Sequence, residues 1–161
     1  MLCLPILVVV DEAYIEFSGQ PSLVSRAADY DNLIVLRTFS KWAGLAGLRI
    51  GYGVFPLALM QHLWKIKQPY NVSVAAAAAA TASLQDLDHL LANVARLVAE
   101  RQRLETEMAR VPFLRPYPSR SNFVLCRVVG RSASDLWQTL RQRGILVRYF
   151  NQPGLQDCIR I

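Results

Sequence analysis

Two hydroxyl side chains and a lysine follow a short apolar run and could form one reactive group. Residues 33–36 have the pattern of a buried strand, so Thr38, Ser40 and Lys41 come where that strand ends. Open α/β sheets build their binding sites at such ends. Trp42 and the small apolar residues after it predict a desolvated Lys41, which favours a neutral amine able to attack a carbonyl carbon. The alternative is a solvated surface cation beside a turn, which this stretch alone favours.

A carboxylate, a phenol and a guanidinium stand at comparable places in the chain. Asp11 follows an apolar run, Tyr14 comes three residues later, and Arg49 closes a segment of small residues. Taken singly, Asp11 could be a turn residue, Tyr14 a core residue and Arg49 a surface ion-pair residue. Taken with Lys41, they complement one another. A carboxylate can keep a pyridine nitrogen protonated, a phenol can bond a ring oxygen, a lysine can form an imine, and hydroxyls with a planar guanidinium can hold a phosphate. Those are the requirements of pyridoxal phosphate.

The elements that would position these groups alternate between strands and helices. Continuous β-branched runs predict strands, the first with the pattern of a strand covered on both faces of a parallel sheet, and apolar residues at helical spacing predict helices. The predicted strands are residues 2–10, 32–37, 49–54, 121–126, 145–150 and 158–161. The predicted helices are residues 21–30, 56–67, 74–84, 86–110 and 134–143.

The composition indicates a globular chain, and the distribution of its basic residues argues against a nucleic-acid partner. The 161 residues are 53% hydrophobic and 19% charged, which suffices for a sizeable core. A formal charge of +6 could suit a phosphorylated metabolite or a nucleic acid. The basic residues are scattered, however, and the densest group falls on a helix face that we expect to be exposed, so we expect no nucleic acid. That group is Arg96, Arg101, Arg103 and Arg110.

The cysteines and the first residues exclude other classes. Cys3, Cys126 and Cys158 have no spacing typical of metal ligands, so we expect no metal and a reducing compartment. The apolar run of residues 1–10 is short, is interrupted by Pro5 and has no basic residues before it. It therefore predicts a strand rather than a signal peptide, and no membrane partner.

Three motifs carry a family resemblance. Residues 8–17 read VVVDEAYIEF, residues 37–41 read RTFSK, and residues 46–51 read AGLRIG. This combination resembles the fold type I aminotransferases, and within them the histidinol-phosphate aminotransferases, over essentially all 161 residues. The resemblance implies an α/β fold that is a partial fold type I transferase. It would contain part of a mostly parallel sheet of a large domain, followed by a smaller α+β domain.

The resemblance also implies roles for the first group of residues. Lys41 would form the imine with pyridoxal phosphate and then move a proton between the substrate α-carbon and the cofactor. Asp11 would pair with the pyridinium nitrogen, and Tyr14 would bond the ring oxygen. The phosphate group would be bound at or beside Thr38, Ser40 and Arg49.

Substrate-binding residues are implied further along the chain. Tyr70 and Asn71 match a family segment near the site, and Asn122 lies in a matching Ser-Asn-Phe-Val segment. Arg160 stands where the family's Leu-Arg-Ile arginine binds the substrate carboxylate, although Cys-Ile precedes it here. Arg148 is a further candidate for binding a substrate anion, with a surface strand cation as an equal alternative.

The resemblance gives a domain scheme and an expectation about completeness. Residues 1–85 would belong to the cofactor-binding large domain, 86–111 would form a long linking helix, and 112–161 a small, incomplete C-terminal domain. The family has a longer N-terminal part, with further cofactor contacts, and a final helix, so we expect this sequence to be a fragment. Family members generally complete their sites across a dimer, which implies a homodimer.

The implied function is transamination between L-histidinol phosphate and 2-oxoglutarate, giving glutamate, in histidine biosynthesis. A related phosphothreonine decarboxylase or a broad aromatic aminotransferase would use the same cofactor contacts. An inactive fragment is the non-enzymatic alternative. We expect a cytoplasmic protein, or an organellar one if a transit peptide precedes these residues.

Overall fold

A three-stranded sheet organises the first of the two units into which the chain divides, Met1–Val94 and Ala95–Ile161. The computed structural model describes residues 2–161. The strands β1 (Val8–Asp11), β2 (Leu33–Thr38) and β3 (Gly51–Val54) lie in the order β1-β2-β3. β1 and β2 are parallel, whereas β3 is antiparallel to β2. The carboxyl ends of β1 and β2 therefore meet at one edge of the sheet.

Short helices accompany this sheet. They are α1 (Ile15–Ser18), α2 (Leu57–Ile66) and α3 (Val74–Gln85), with 3₁₀ segments at Val24–Asp29 and Ala46–Leu48. Pro56 precedes the first turn of α2, where a missing N–H costs nothing. Ser73 caps α3 by accepting a hydrogen bond from the Ala76 N–H, and the alanine run continues the helix. The short helix predicted at 21–30 forms only over Val24–Asp29 and as a 3₁₀ segment, so it is shorter than predicted.

The first predicted strand is shorter than its apolar pattern indicates. The Asn32 side-chain amide donates hydrogen bonds to the carbonyls of Leu2, Leu4 and Ile6, so those groups do not pair in a strand. Pairing starts at Val8, and Val9 is 56% exposed. The expectation of a strand at 2–10 covered on both faces is therefore wrong.

A four-stranded antiparallel sheet organises the second unit. Its strands β4 (Leu114–Pro116), β5 (Leu125–Val128), β6 (Arg148–Tyr149) and β7 (Cys158–Arg160) lie in the order β4-β5-β7-β6. The helix α4 (Leu87–Ala109) leads into this unit, and α5 (Ala133–Gln142) lies between β5 and β6 in the chain. Side chains on one face of this sheet form the core of the unit, and Val124, Cys126 and Ile159 are fully buried there.

Three predictions for this unit need correction. The strand predicted at 145–150 pairs only at Arg148–Tyr149. The Ile145 N–H donates instead to the carbonyl of Leu140 in the last turn of α5. The strand predicted at 121–126 begins at Leu125, since Ser119 donates to the Phe123 carbonyl and keeps that segment a loop. β4 was not predicted from the sequence, because prolines surround this segment. β4 lies at the edge of the sheet, where proline is tolerated.

The basic face predicted on the long helix is also different. Arg101 has a side chain only 8% exposed and donates to the Ser121 carbonyl at 2.7 Å, so it does not belong to a solvated face. No helix among residues 2–161 is both long and apolar enough to cross a membrane.

Candidate active site

Asp11 lies at the edge of the sheet where β1 and β2 both end. It is exposed and stands opposite Leu36, and the next N–H, that of Glu12, donates to the Leu36 carbonyl at 2.9 Å. One Asp11 carboxylate oxygen accepts the Ala13 N–H at 3.0 Å. This local bond fixes the turn after β1 and holds the Asp11 side chain at the sheet edge.

Lys41 and Tyr14 come together although 26 residues separate them in the chain. The Lys41 Nζ lies 5.7 Å from the centre of the Tyr14 ring, within cation–π range. Lys41 is exposed, and its neighbour Trp42 is buried against Phe39 with ring centres 5.5 Å apart. The apolar neighbours thus pack inward, and the prediction that they desolvate Lys41 is wrong.

Hydrogen bonds hold the residues before Lys41 against the residue after Arg49. The Thr38 hydroxyl accepts the Ser40 N–H at 3.1 Å and donates to the Ile50 carbonyl at 3.4 Å. The Phe39 N–H also donates to that carbonyl. Segments 38–40 and 49–50 therefore lie side by side.

Arg49 has a left-handed backbone, with φ of 54°. That conformation is unfavourable for a residue with a Cβ. The side chain is exposed, and its Nη1 donates to the Ala46 carbonyl at 2.9 Å. Non-glycine residues with this left-handed conformation cluster at functional sites. The conformation of Arg49 therefore fits a residue whose guanidinium has a function.

An ion cluster beneath this edge was not predicted from the sequence. Arg37, in β2, lies 3.4 Å from the Glu12 carboxylate and 2.5 Å from that of Glu16. Glu12 is 5% exposed and also accepts bonds from the Ser22 hydroxyl and the Leu23 N–H. The cluster ties the segment that carries Asp11 and Tyr14 to the strand that leads to Lys41. The available signal was the position of two charged residues in the sequence: Glu12 directly follows Asp11, and Arg37 directly precedes Thr38.

Tyr70 is not brought to the other predicted residues of the first unit. It is 97% exposed, and among residues 2–161 no hydrogen bond or ring contact joins it to Asp11, Lys41 or Arg49. Its φ is 64°, so it is a second non-glycine residue with a left-handed backbone. Asn71, beside it, is exposed as well.

The second unit contains the other predicted residues. Arg148 and Arg160 stand directly opposite each other on β6 and β7. Asn122 is exposed in the loop before β5, next to Phe123, whose ring centre lies 4.9 Å from the Arg160 guanidinium carbon. Phe150, two residues after Arg148, contacts both arginines, and the period of two along a strand could have indicated this.

The donor set of the first unit fits pyridoxal phosphate. At one sheet edge it offers a carboxylate, a phenol, a primary amine, two hydroxyls and a guanidinium, each suited to a different part of that molecule. A phosphate needs charged and hydroxyl donors close together, which segments 38–40 and 49–50 supply. None of these groups is sequestered in the core.

Comparison with known proteins gives concordant results. The sequence model of the family "Aminotransferase class I and II" matches residues 4–161. The chain is 56% identical over 164 aligned residues to a histidinol-phosphate aminotransferase of Roseiflexus castenholzii, covering 100% of this chain and 44% of that protein.

Solved structures agree with this result. The histidinol-phosphate aminotransferase of Sinorhizobium meliloti in complex with pyridoxal-5'-phosphate matches with a TM-score of 0.83 and 37% identity, over 96% of this chain and 43% of that one. The L-threonine-O-3-phosphate decarboxylase of Porphyromonas gingivalis matches with a TM-score of 0.85 and 25% identity, over 95% and 48%. The chain thus spans less than half the length of these relatives.

Proposed function

Because the chain belongs to the aminotransferase class I and II family, we propose that it is part of a pyridoxal-phosphate-dependent aminotransferase acting on L-histidinol phosphate and 2-oxoglutarate. The observation that carries the proposal is the approach of the Lys41 amine to the Tyr14 ring at the sheet edge where β1 ends with Asp11. The 56% identity to a histidinol-phosphate aminotransferase supports the choice of substrate.

The residues of the first unit act on the cofactor. When bound, pyridoxal phosphate supplies an electron sink that stabilises negative charge at the substrate α-carbon. Lys41 would be the residue to which the cofactor attaches, and its amine would move the proton removed from the substrate α-carbon to the cofactor. Asp11 would keep a proton on the pyridine nitrogen by opposing its positive charge, and Tyr14 would donate to the ring oxygen. Thr38, Ser40 and Arg49 would bind the phosphate.

Four residues have proposed roles in substrate binding. Arg160 binds the carboxylate of 2-oxoglutarate through its planar fork of donors, and Arg148 binds a second anionic group. Tyr70 and Asn122 contact the rest of the substrate.

The proposal extends to domains, assembly and compartment. Residues 1–85 form part of the cofactor-binding domain, 86–111 the linking helix and 112–161 part of the small domain. The complete enzyme is a homodimer in the cytoplasm that converts small molecules only.

Reductive trapping tests the cofactor role. The chain is incubated with pyridoxal phosphate, reduced with borohydride and digested, and the modified lysine is located by mass spectrometry. The chain has three lysines, and Lys41, Lys65 and Lys67 are all exposed, so accessibility alone would label them equally. We expect preferential labelling of Lys41, which Lys41→Ala abolishes. Equal labelling of all three would overturn the proposal.

Substrate profiling tests the reaction. We expect glutamate formation from 2-oxoglutarate with L-histidinol phosphate in preference to phenylalanine. Release of carbon dioxide from O-phosphothreonine would indicate a decarboxylase instead. A chain that is labelled at Lys41 but forms no product would contradict the activity and leave the cofactor role standing.

A further inference from the structure

Two like charges stand side by side on the sheet of the second unit. Arg148 and Arg160 are paired residues of the antiparallel strands β6 and β7. Paired residues of antiparallel strands project from the same face with Cβ atoms about 5 Å apart, and like charges placed so destabilise the sheet. Another group must therefore offset the repulsion between the two guanidinium charges.

A second arginine pair in the same sheet shows the usual solution. Arg115 and Arg127 are opposite residues of β4 and β5. Arg127 forms an ion pair with Asp157, and Arg115 donates to the Pro112 and Leu114 carbonyls. In contrast, no acidic residue of the described chain forms an ion pair with Arg148 or Arg160.

Aromatic rings take the place of a counter-ion at the second pair. The Phe150 ring centre lies 5.6 Å from the guanidinium carbon of Arg148 and 5.6 Å from that of Arg160. Phe123 lies 4.9 Å from Arg160. The negative face of an aromatic ring attracts a guanidinium at these distances. Phe150 thus contacts both arginines.

The backbone explains why the rings reach the arginines. Phe150 follows Arg148 by two residues, and residues two apart along an extended chain share a face. Phe123 precedes Leu125, the β5 partner of Arg160, by two residues. Reciprocal hydrogen bonds between Val124 and Ile161 fix that end of the sheet.

A ring and a carboxylate would have different consequences for binding. A carboxylate occupies the N–H donors along the edge of a guanidinium, whereas a ring that contacts its face leaves those donors available. We propose that Phe150 is a positioning residue that holds Arg148 and Arg160 side by side with their donors free for a substrate carboxylate. This inference rests on the function proposed above for the two arginines.

Nuclear magnetic resonance of the guanidinium Nε–H groups tests this inference on the 161-residue chain. Signals are assigned with Arg148→Lys and Arg160→Lys. We expect both signals to be shifted by the Phe150 ring in the unliganded chain. In Phe150→Leu, the Arg148 signal should move towards the free-arginine position, and the Arg160 signal should move less because Phe123 still contacts Arg160. Phe150→Tyr, which keeps a ring, should restore them.

Titration with glutarate, a dicarboxylate, adds a binding readout. We expect Phe150→Leu to weaken binding about tenfold, equivalent to ~1.4 kcal/mol, and Phe150→Tyr to bind normally. The matched control is Phe113→Leu, because Phe113 lies 4.4 Å from the Arg131 guanidinium, a contact of the same kind in the same unit. This control should not change the affinity.

The outcomes separate this inference from the proposed function. Unchanged Arg148 and Arg160 signals and unchanged affinity in Phe150→Leu would overturn the role of Phe150 alone, provided that Arg160→Lys weakens binding. Binding that survives Arg148→Lys and Arg160→Lys would instead contradict the proposed substrate site. Circular dichroism confirms that each variant is folded.

Discussion

The Arg37 guanidinium lies 3.4 Å from the carboxylate of Glu12, the residue directly after Asp11. Arg37 also pairs with Glu16, two residues after Tyr14. The side chains of Arg37, Glu12 and Glu16 are 15%, 4% and 9% exposed. One largely buried cation therefore anchors the segment that carries both Asp11 and Tyr14.

Replacing this cation should strongly destabilise the first unit. In Arg37→Met, two largely buried carboxylates lose their cationic partner, and breaking a buried pair costs about 3–5 kcal/mol. Urea unfolding measures the loss. Arg110→Met is the matched control, since Arg110 pairs with Glu107 where both side chains are exposed, and we expect less than ~1 kcal/mol there. Similar losses in both variants would contradict a structural role for the cluster.

Arg49 should show opposite effects on stability and on binding. Its φ of 54° is unfavourable for any residue with a Cβ and easy for glycine. Arg49→Gly should therefore raise the free energy of unfolding by about 0.5–1 kcal/mol, while trapping of pyridoxal phosphate at Lys41 decreases. Arg49→Ala loses the guanidinium but keeps the strain, so it should bind equally poorly without the gain. Equal stability of the glycine and alanine variants would refute this explanation.

Local sequence patterns predicted the elements whose partners are close in the chain. The apolar spacing of residues 56–67, 74–84 and 86–110 indicated three helices, and α2, α3 and α4 confirm them within two residues at each end. The motif-based family prediction is confirmed by the match over residues 4–161. The roles of the individual site residues stay predictions.

Distant contacts explain what the sequence did not predict. Asn32 reaches carbonyls 26 to 30 residues earlier, and no local pattern reports that competition with a strand. Arg37 meets Glu12 across 25 residues, so the charges of both were visible but their pairing was not. Lys41 was expected to be desolvated because neighbours in sequence were taken as neighbours in space, whereas Trp42 packs inward.

Gly51 should be intolerant of a side chain, because β3 approaches β2 closely there. A Cβ at Gly51 would lie 2.5 Å from the Arg37 carbonyl oxygen, a backbone atom that cannot move without shifting β2. We expect Gly51→Ala to cost about 1–3 kcal/mol in urea unfolding, as overpacking does, and to reduce trapping at Lys41. Gly47→Ala is the control, since a Cβ there meets nothing within 4 Å. A Gly51→Ala variant as stable as Gly47→Ala would contradict the close approach.

The three cysteines should differ in reactivity. Cys3 is exposed, whereas Cys126 and Cys158 are buried. Burial, together with the hydrogen bond to the Asp157 carboxylate, raises the pKa of the Cys158 thiol to about 11. Burial also raises the pKa of Cys126.

Alkylation by iodoacetamide checks this order, because the thiolate is the reacting form. With a pKa of about 11, only about one Cys158 thiol in a thousand is ionised at pH 8, and that fraction rises tenfold with each pH unit below the pKa. We expect mass spectrometry at pH 8 to find label on Cys3 alone in the native chain and on all three cysteines in urea. Labelling of Cys158 in the native chain should increase as the pH is raised towards 11. Labelling of Cys158 as rapid as that of Cys3 at pH 8, in chain that remains folded by circular dichroism, would refute the buried thiol.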